Sequence, residues 1–202
     1  MHSIILVAGI SCSGKTTLAR RLASELDAAY LSIDDYYRPF AELPIEARKH
    51  VNFDAPDAIE HELLVDHVER LRRGETIHKP MYDAAAFARL RGTEPVYPTP
   101  MIVIEGLFAL YWSALREHSR LGVFVETPLE VCRERRLDRD VHHYGRSRID
   151  ALEMYESHVH PNQAQFVLPS REVSDVIVSG TQPLDRSLQQ IYEFFDGFQL
   201  VR

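Results

Sequence analysis

Residues 9–16 read Gly9-Ile10-Ser11-Cys12-Ser13-Gly14-Lys15-Thr16, a match to G-x-x-x-x-G-K-[ST]. Its glycines let the backbone turn its amides inward around a phosphate chain. Lys15 can then reach the β and γ phosphates, and the Thr16 hydroxyl can ligate Mg²⁺. The context fits. Residues 4–8 form an unalternating apolar run, the pattern of a strand buried on both faces of a parallel sheet. After the loop, Leu18, Leu22 and Leu26 recur at helical spacing, so a helix starting at Lys15 aims its positive end at the same anion. This strand–loop–helix unit binds a nucleoside triphosphate, with Gly9, Ser11, Cys12, Ser13, Gly14, Lys15, Thr16 and Thr17 as the expected contacts.

The rest of the chain repeats the alternation. Strands are expected at 29–33, 101–105, 121–125 and 175–179. Asp57 with Glu60 reads as a capping box opening a helix that runs through Leu64, Val68 and Leu71 to Gly74. Thr127-Pro128-Leu129-Glu130 reads as an N-cap followed by a proline at the first helical position. Ser147 is expected to cap a further helix, and Leu184, Leu188, Ile191 and Phe195 to line a terminal one. Alternation of this kind predicts an α/β fold with a doubly wound parallel sheet, whose ligands bind beyond the carboxyl ends of the strands. The expected organisation is one P-loop NTPase domain over 1–202, with a β-hairpin flap at about 76–98 and an arginine-rich lid at about 136–150.

Composition narrows the function classes. With 23 basic and 30 acidic residues the net charge is −7, which argues against a broad nucleic-acid-binding surface. No apolar stretch is long enough to span a bilayer, so no membrane partner is expected. Two cysteines make no disulfide framework and suit a reducing, cytoplasmic setting. Neither a D-x-x-G switch nor an N-K-x-D base reader occurs, which turns the reading from a GTPase toward a small-molecule phosphotransferase.

Phosphoryl transfer needs an acceptor base, a metal and cations over the moving group. Asp34, at the tip of the strand expected at 29–33, is the candidate base. Glu105, ending four apolar residues, is the candidate for Mg²⁺ beside Thr16. Arg136, Arg139 and Arg146 flank Gly145 in a segment able to close over phosphates. Arg133 and Arg135 are expected to pair instead with Glu130, Glu134 and Asp138 on their own helix. His142 and His143 have no metal-ligand spacing and read as surface.

These residues together resemble the uridine/cytidine kinases of the phosphoribulokinase/uridine kinase-like superfamily. Besides the P-loop, the resemblance rests on Ser32-Ile33-Asp34-Asp35-Tyr36-Tyr37-Arg38, Asn52-Phe53-Asp54-Ala55-Pro56-Asp57-Ala58, Pro80-Met81-Tyr82-Asp83 and Ile104-Glu105-Gly106. Arg136-Leu137-Asp138-Arg139-Asp140, Gly145-Arg146, Tyr155, Pro161 and Ser174-Asp175-Val176-Ile177-Val178 extend it to about residue 180. The resemblance implies phosphorylation of a nucleoside 5′-hydroxyl by ATP or GTP with Mg²⁺. It implies that Asp34 is the base, and that Lys15, Arg136 and Arg139 act on the phosphoryl group. It implies that Asp54 and Arg136 hold ribose hydroxyls, that Tyr37 and Phe53 line the nucleoside pocket and that Tyr82 lies near the base. Arg139 and Arg146 would face phosphate, and homo-oligomers are common in such a family.

The base end departs from the family pattern. Tyr-Asp-Phe-x-x-His is usual, whereas this chain reads Tyr82-Asp83-Ala84-Ala85-Ala86-Phe87. Phe87 takes the place of a histidine that bonds the pyrimidine edge, Met154 that of a glutamine and Tyr144 that of an arginine. Other acceptors therefore stay open, among them another nucleoside, nicotinamide riboside, pantothenate or a sugar phosphate. So does a nucleotide-binding regulator that has lost catalysis.

Overall fold

The computed structural model describes residues 2–40, 43–48 and 50–199; residues 1, 41–42, 49 and 200–202 lie outside it. Five parallel strands form the central sheet: β1 (Ser3–Ala8), β2 (Ala29–Ser32), β5 (Met101–Glu105), β6 (Ser119–Glu126) and β7 (Val176–Ser179), in the order β2-β5-β1-β6-β7. Their apolar runs do not alternate because both faces are covered. Ile4, Leu6 and Ala8 pack with Ile102, Ile104 and Phe124 on one face. Ile5 and Val7 pack with Val103, Val123, Leu18, Leu22 and Ile191 on the other. The sheet is doubly wound about β1, and the register places Ser32 beside Glu105 and Glu105 beside Val7. The carboxyl ends of β2, β5 and β1 thus open side by side, where such folds bind ligands.

The major helices are α1 (Lys15–Glu25), α2 (His61–Arg72), α3 (Leu129–His142), α4 (Arg148–Met154) and α5 (Leu184–Gln199). The Ser147 side chain caps α4 as expected, accepting from the Asp150 amide at 3.1 Å. Two other expected caps do not form. Asp57 lies in a 3₁₀ turn, Pro56–Ala58, and Ile59 then pairs in extended form with Tyr37, so α2 begins only at His61. Glu60 turns away from the helix, and its carboxylate receives Arg89 at 2.7 Å. Thr127 does not cap α3 either. Pro128 occupies the cap position, and the buried Thr127 hydroxyl donates to the Ser13 carbonyl at 2.9 Å, fastening the carboxyl end of β6 to the P-loop.

The 76–98 segment forms an antiparallel hairpin, β3 (Ile77–Asp83) and β4 (Ala88–Val96). It stands apart from the main sheet and leans on the 3₁₀ turn Ile33–Tyr36 that carries Asp34. Lys79 makes the joint. Its buried ammonium lies 2.7 Å from Asp35 on the turn and 2.7 Å from Glu94 on β4. Arg89 adds a second joint, donating to the Tyr37 carbonyl at 2.7 Å. Among the described residues, no helix is long and apolar enough to cross a membrane.

The same turn is held from beneath by Tyr36, whose fully buried hydroxyl is 3.0 Å from Nδ1 of buried His67 on α2. Burial pushes the His67 pKa below its ordinary 6.5. The folded state therefore favours neutral imidazole. Its contribution to stability is full above pH about 6.5 and is lost as pH falls from there through the lower folded value. Thermal melts between pH 7.5 and 5.5 should show a smaller loss of Tm for His67→Gln than for the unmodified protein. Equal slopes would remove His67 from the account.

Candidate active site

A cleft of about 620 Å³ runs across the carboxyl ends of the sheet strands. The P-loop forms its floor. Gly14, at φ 101°, occupies the left-handed region at the start of α1, where a side chain would strain the backbone. Ser11, Cys12, Gly14, Lys15, Thr16 and Thr17 all line the cleft. Gly9 and the buried Ser13 lie under the loop rather than on its surface.

Glu105 sits just below. Its Oε2 accepts from the Thr16 hydroxyl at 3.1 Å, while Oε1 accepts from Tyr30 and Ser32, each at 3.0 Å. Burial raises the Glu105 pKa, against the opposing charge of Lys15. A hydroxyl and a carboxylate meeting at one spot form a hard oxygen donor set of the kind Mg²⁺ takes. Asp34 faces the cleft from the tip of β2, and its carboxylate has no hydrogen bond or ion pair among the described residues. Its oxygens are therefore available to a ligand.

Beyond Asp34 the wall is aromatic. Tyr37 packs on Phe53 and Tyr82 with ring centroids 5.3 and 5.0 Å apart, and Phe53 stacks on Phe87 at 5.2 Å. Burial, and after it the Asp34 charge, pushes the Tyr37 and Tyr82 phenols well above their ordinary range. The Tyr37 hydroxyl donates to the Phe53 carbonyl at 2.9 Å. The buried Tyr82 hydroxyl has no partner among the described residues.

A charged network binds this wall to the P-loop. Arg136 donates to Ser11 Oγ at 2.9 Å and to Asp140 at 3.1 Å, and lies 3.5 Å from Asp54. Burial works against its charge, but Asp54 and Asp140 outweigh that cost and raise its pKa. Asp140, 1% exposed, also receives Arg146 at 2.9 Å and lies 3.6 Å from Arg139. Arg146 in turn covers the Phe87 ring at 4.4 Å.

The sequence model of the Phosphoribulokinase / Uridine kinase family matches residues 4–185. A uridine kinase of Chloroflexus aurantiacus is 39% identical over 180 residues, covering 88% of this chain and 86% of its own. A uridine kinase of Salmonella paratyphi B is 37% identical over 182 residues, covering 87% and 85%. The chain belongs to the Phosphoribulokinase / Uridine kinase family. Its fold is also shared with a solved structure from Silicibacter sp. TM1040, a candidate fructose transport system kinase. That match has a TM-score of 0.73 at 21% identity and covers 88% of this chain and 89% of the other. As a family member the chain is a phosphotransferase that uses a nucleotide phosphate donor and a hydroxyl acceptor.

In this kinase the cleft brings together Lys15, Thr16, Asp34, Tyr37, Phe53, Asp54, Tyr82, Phe87, Arg136 and Arg139. Glu105 lies beneath it. Arg146 stands behind Phe87, and Met154 lies farther back, its sulfur 3.5 Å from an Arg146 nitrogen. Arg133 and Arg135 do not pair with the acids of α3. Arg133 reaches Glu156 at 3.1 Å, because the following helix packs alongside. Arg135 spans the cleft mouth, donating to the carbonyls of Cys12 at 3.3 Å and Gly180 at 3.5 Å.

Sequence reasoning missed the Ser179–Ser187 side of the cleft. A lone glycine after a short strand carries no motif. Even so, a Cβ on Gly180 would collide with the Ser13 carbonyl and the Thr127 hydroxyl. These atoms belong to the P-loop and to the residue that fastens it, so the loop itself would have to shift. Gly180→Ala should retain its circular dichroism spectrum while binding nucleoside triphosphate at least about tenfold more weakly by calorimetry, the scale of a modest overpacking penalty. Unchanged affinity would show that the close approach is unimportant.

Proposed function

We propose that this kinase transfers the γ-phosphoryl group of ATP or GTP to the 5′-hydroxyl of a pyrimidine nucleoside, uridine or cytidine, in the cytoplasm. The observation that carries the reading is that Asp34, whose carboxylate has no partner among the described residues, faces the same cleft as Lys15. The names of the Chloroflexus and Salmonella relatives support uridine as the acceptor class.

The P-loop amides and Lys15 bind the β and γ phosphates and neutralise charge there. Asp34 accepts the acceptor's hydroxyl proton as its oxygen bonds to the γ phosphorus. The bond from that phosphorus to the bridging oxygen breaks, and the nucleoside diphosphate leaves. Thr16 and Glu105 fit Mg²⁺, directly or through water, since both offer hard oxygen atoms. When bound, that ion would offset charge on the β and γ oxygens. Asp54 and Arg136, already paired and buried, are rigid enough to orient ribose hydroxyls. Arg139 and Arg146 belong to the segment that would close over phosphate and exclude water.

Phe87 favours a second reading, the same chemistry on a different hydroxyl acceptor. Its ring, stacked on Phe53 under Arg146, offers a flat apolar wall with no hydrogen-bonding edge. A site without such groups rejects analogues weakly. A panel of nucleosides, nicotinamide riboside, pantothenate and sugar phosphates, assayed with ATP by coupled ADP release, separates the two. Turnover of uridine or cytidine above all others upholds the first reading, and turnover of a non-nucleoside alone removes it.

Asp34→Asn should keep ATP affinity while turnover falls at least about a hundredfold, the scale of a lost general base. Unchanged turnover would remove Asp34 from the chemistry and leave the proton to another group.

A further inference from the structure

The lining of the cleft runs past Arg135 to the loop after β7. With the triphosphate on the P-loop and its terminal phosphorus toward Asp34, the donor's base falls on that side. This step rests on the donor reading given above. Gln182, Leu184 and Ser187 line that side. The Ser179 hydroxyl, also on the lining, is already engaged with Thr181 Oγ1 at 2.9 Å.

The Gln182 amide is held one way round. Its Nε2 donates to Ser187 Oγ at 2.8 Å and to Gln190 Oε1 at 2.7 Å, which uses both amide protons. Ser187 sets this direction. Its single hydroxyl proton goes to the Ser179 carbonyl at 3.3 Å, an atom that can only accept. Toward Gln182, Ser187 can therefore only accept, and the amide must present nitrogen to it. Ser187 is 3% exposed, so water does not compete for the arrangement. Gln182 Oε1 is left as a pure acceptor, with no partner among the described residues.

We propose that Gln182 makes the donor site selective for adenine over guanine, with Ser187 as the residue that positions it. The free Oε1 accepts a hydrogen bond from the 6-amino group of adenine. A 6-oxo purine in the same seat would set oxygen against oxygen. The planar Arg135 guanidinium, held by the Cys12 and Gly180 carbonyls, and the apolar Leu184 offer the ring its faces.

Calorimetric titration with ATP, GTP and inosine triphosphate tests the proposal without any acceptor. Inosine triphosphate separates the 6-position from guanine's 2-amino group. The unmodified protein should bind ATP at least about tenfold more tightly than either 6-oxo nucleotide, as one matched against one opposed hydrogen bond predicts. In Gln182→Ala, ATP affinity should fall while that for the other two holds or rises, bringing all three within about threefold of one another. Ser187→Ala, which frees the amide to turn round, should bring ATP and GTP within about threefold of each other with the fold intact by circular dichroism. Equal affinity for ATP and GTP in the unmodified protein overturns the inference and leaves the donor reading standing. So does selectivity that survives both substitutions. Failure to bind any nucleoside triphosphate overturns the donor reading and this inference with it.

Discussion

The active cleft depends on one buried cation. Arg136 lies between Asp54 and Asp140 and also donates to Ser11 of the P-loop, so a single guanidinium ties the phosphate floor to the acceptor wall and to the carboxyl half of α3. Removing charge from water is costly, and here two carboxylates and the Ser11 hydroxyl offset that cost, while Asp140 Oδ1 has no hydrogen bond among the described residues. Arginine suits the position because its planar fork holds several partners in fixed directions, where a lysine offers a point charge. Asp140 extends the network to Arg146 and Arg139, so the groups that would meet phosphate are held by the same carboxylate. Like charges crowded together in this way are poised for an anion.

A second constraint is the alignment of the strand tips. Parallel pairing of β2, β5 and β1 brings Ser32, Glu105 and Val7 into register, and each strand then delivers its next residues to the cleft. Asp34, Glu105 and the P-loop come together because of hydrogen-bonding geometry between backbones, not because of affinity between their side chains. On the far side, β6 and β7 deliver Thr127 and Gly180, which press against the P-loop from beneath and beside it. The loop is thus braced before any nucleotide arrives, which lowers the ordering cost of binding.

Much of this was legible in the residues themselves. The apolar runs of β1, β5 and β6 announce strands buried on both sides, and the P-loop sits where its motif demands. Local signals failed where a side chain had a better partner at long range. Thr127 and Glu60 both look like capping residues, but one fastens the P-loop and the other receives Arg89. Arg135 has acids nearby on its own helix, yet turns to backbone carbonyls across the cleft. Gly180 and Gln182 carry no motif at all. Their importance comes from which atoms lie close around them in space, and no spacing rule encodes that.

The strands of the hairpin are fastened to the turn bearing Asp34 by Lys79 on β3 and Arg89 on β4. Its tip meets other partners, Arg146 reaching the Ala84 carbonyl at 3.4 Å and covering the Phe87 ring, which stacks on Phe53. A lineage can therefore rewrite those few tip residues, and with them the wall around Phe87, while the Asp34 carboxylate stays in place. Divergence in what this scaffold phosphorylates requires no reinvention of how it phosphorylates.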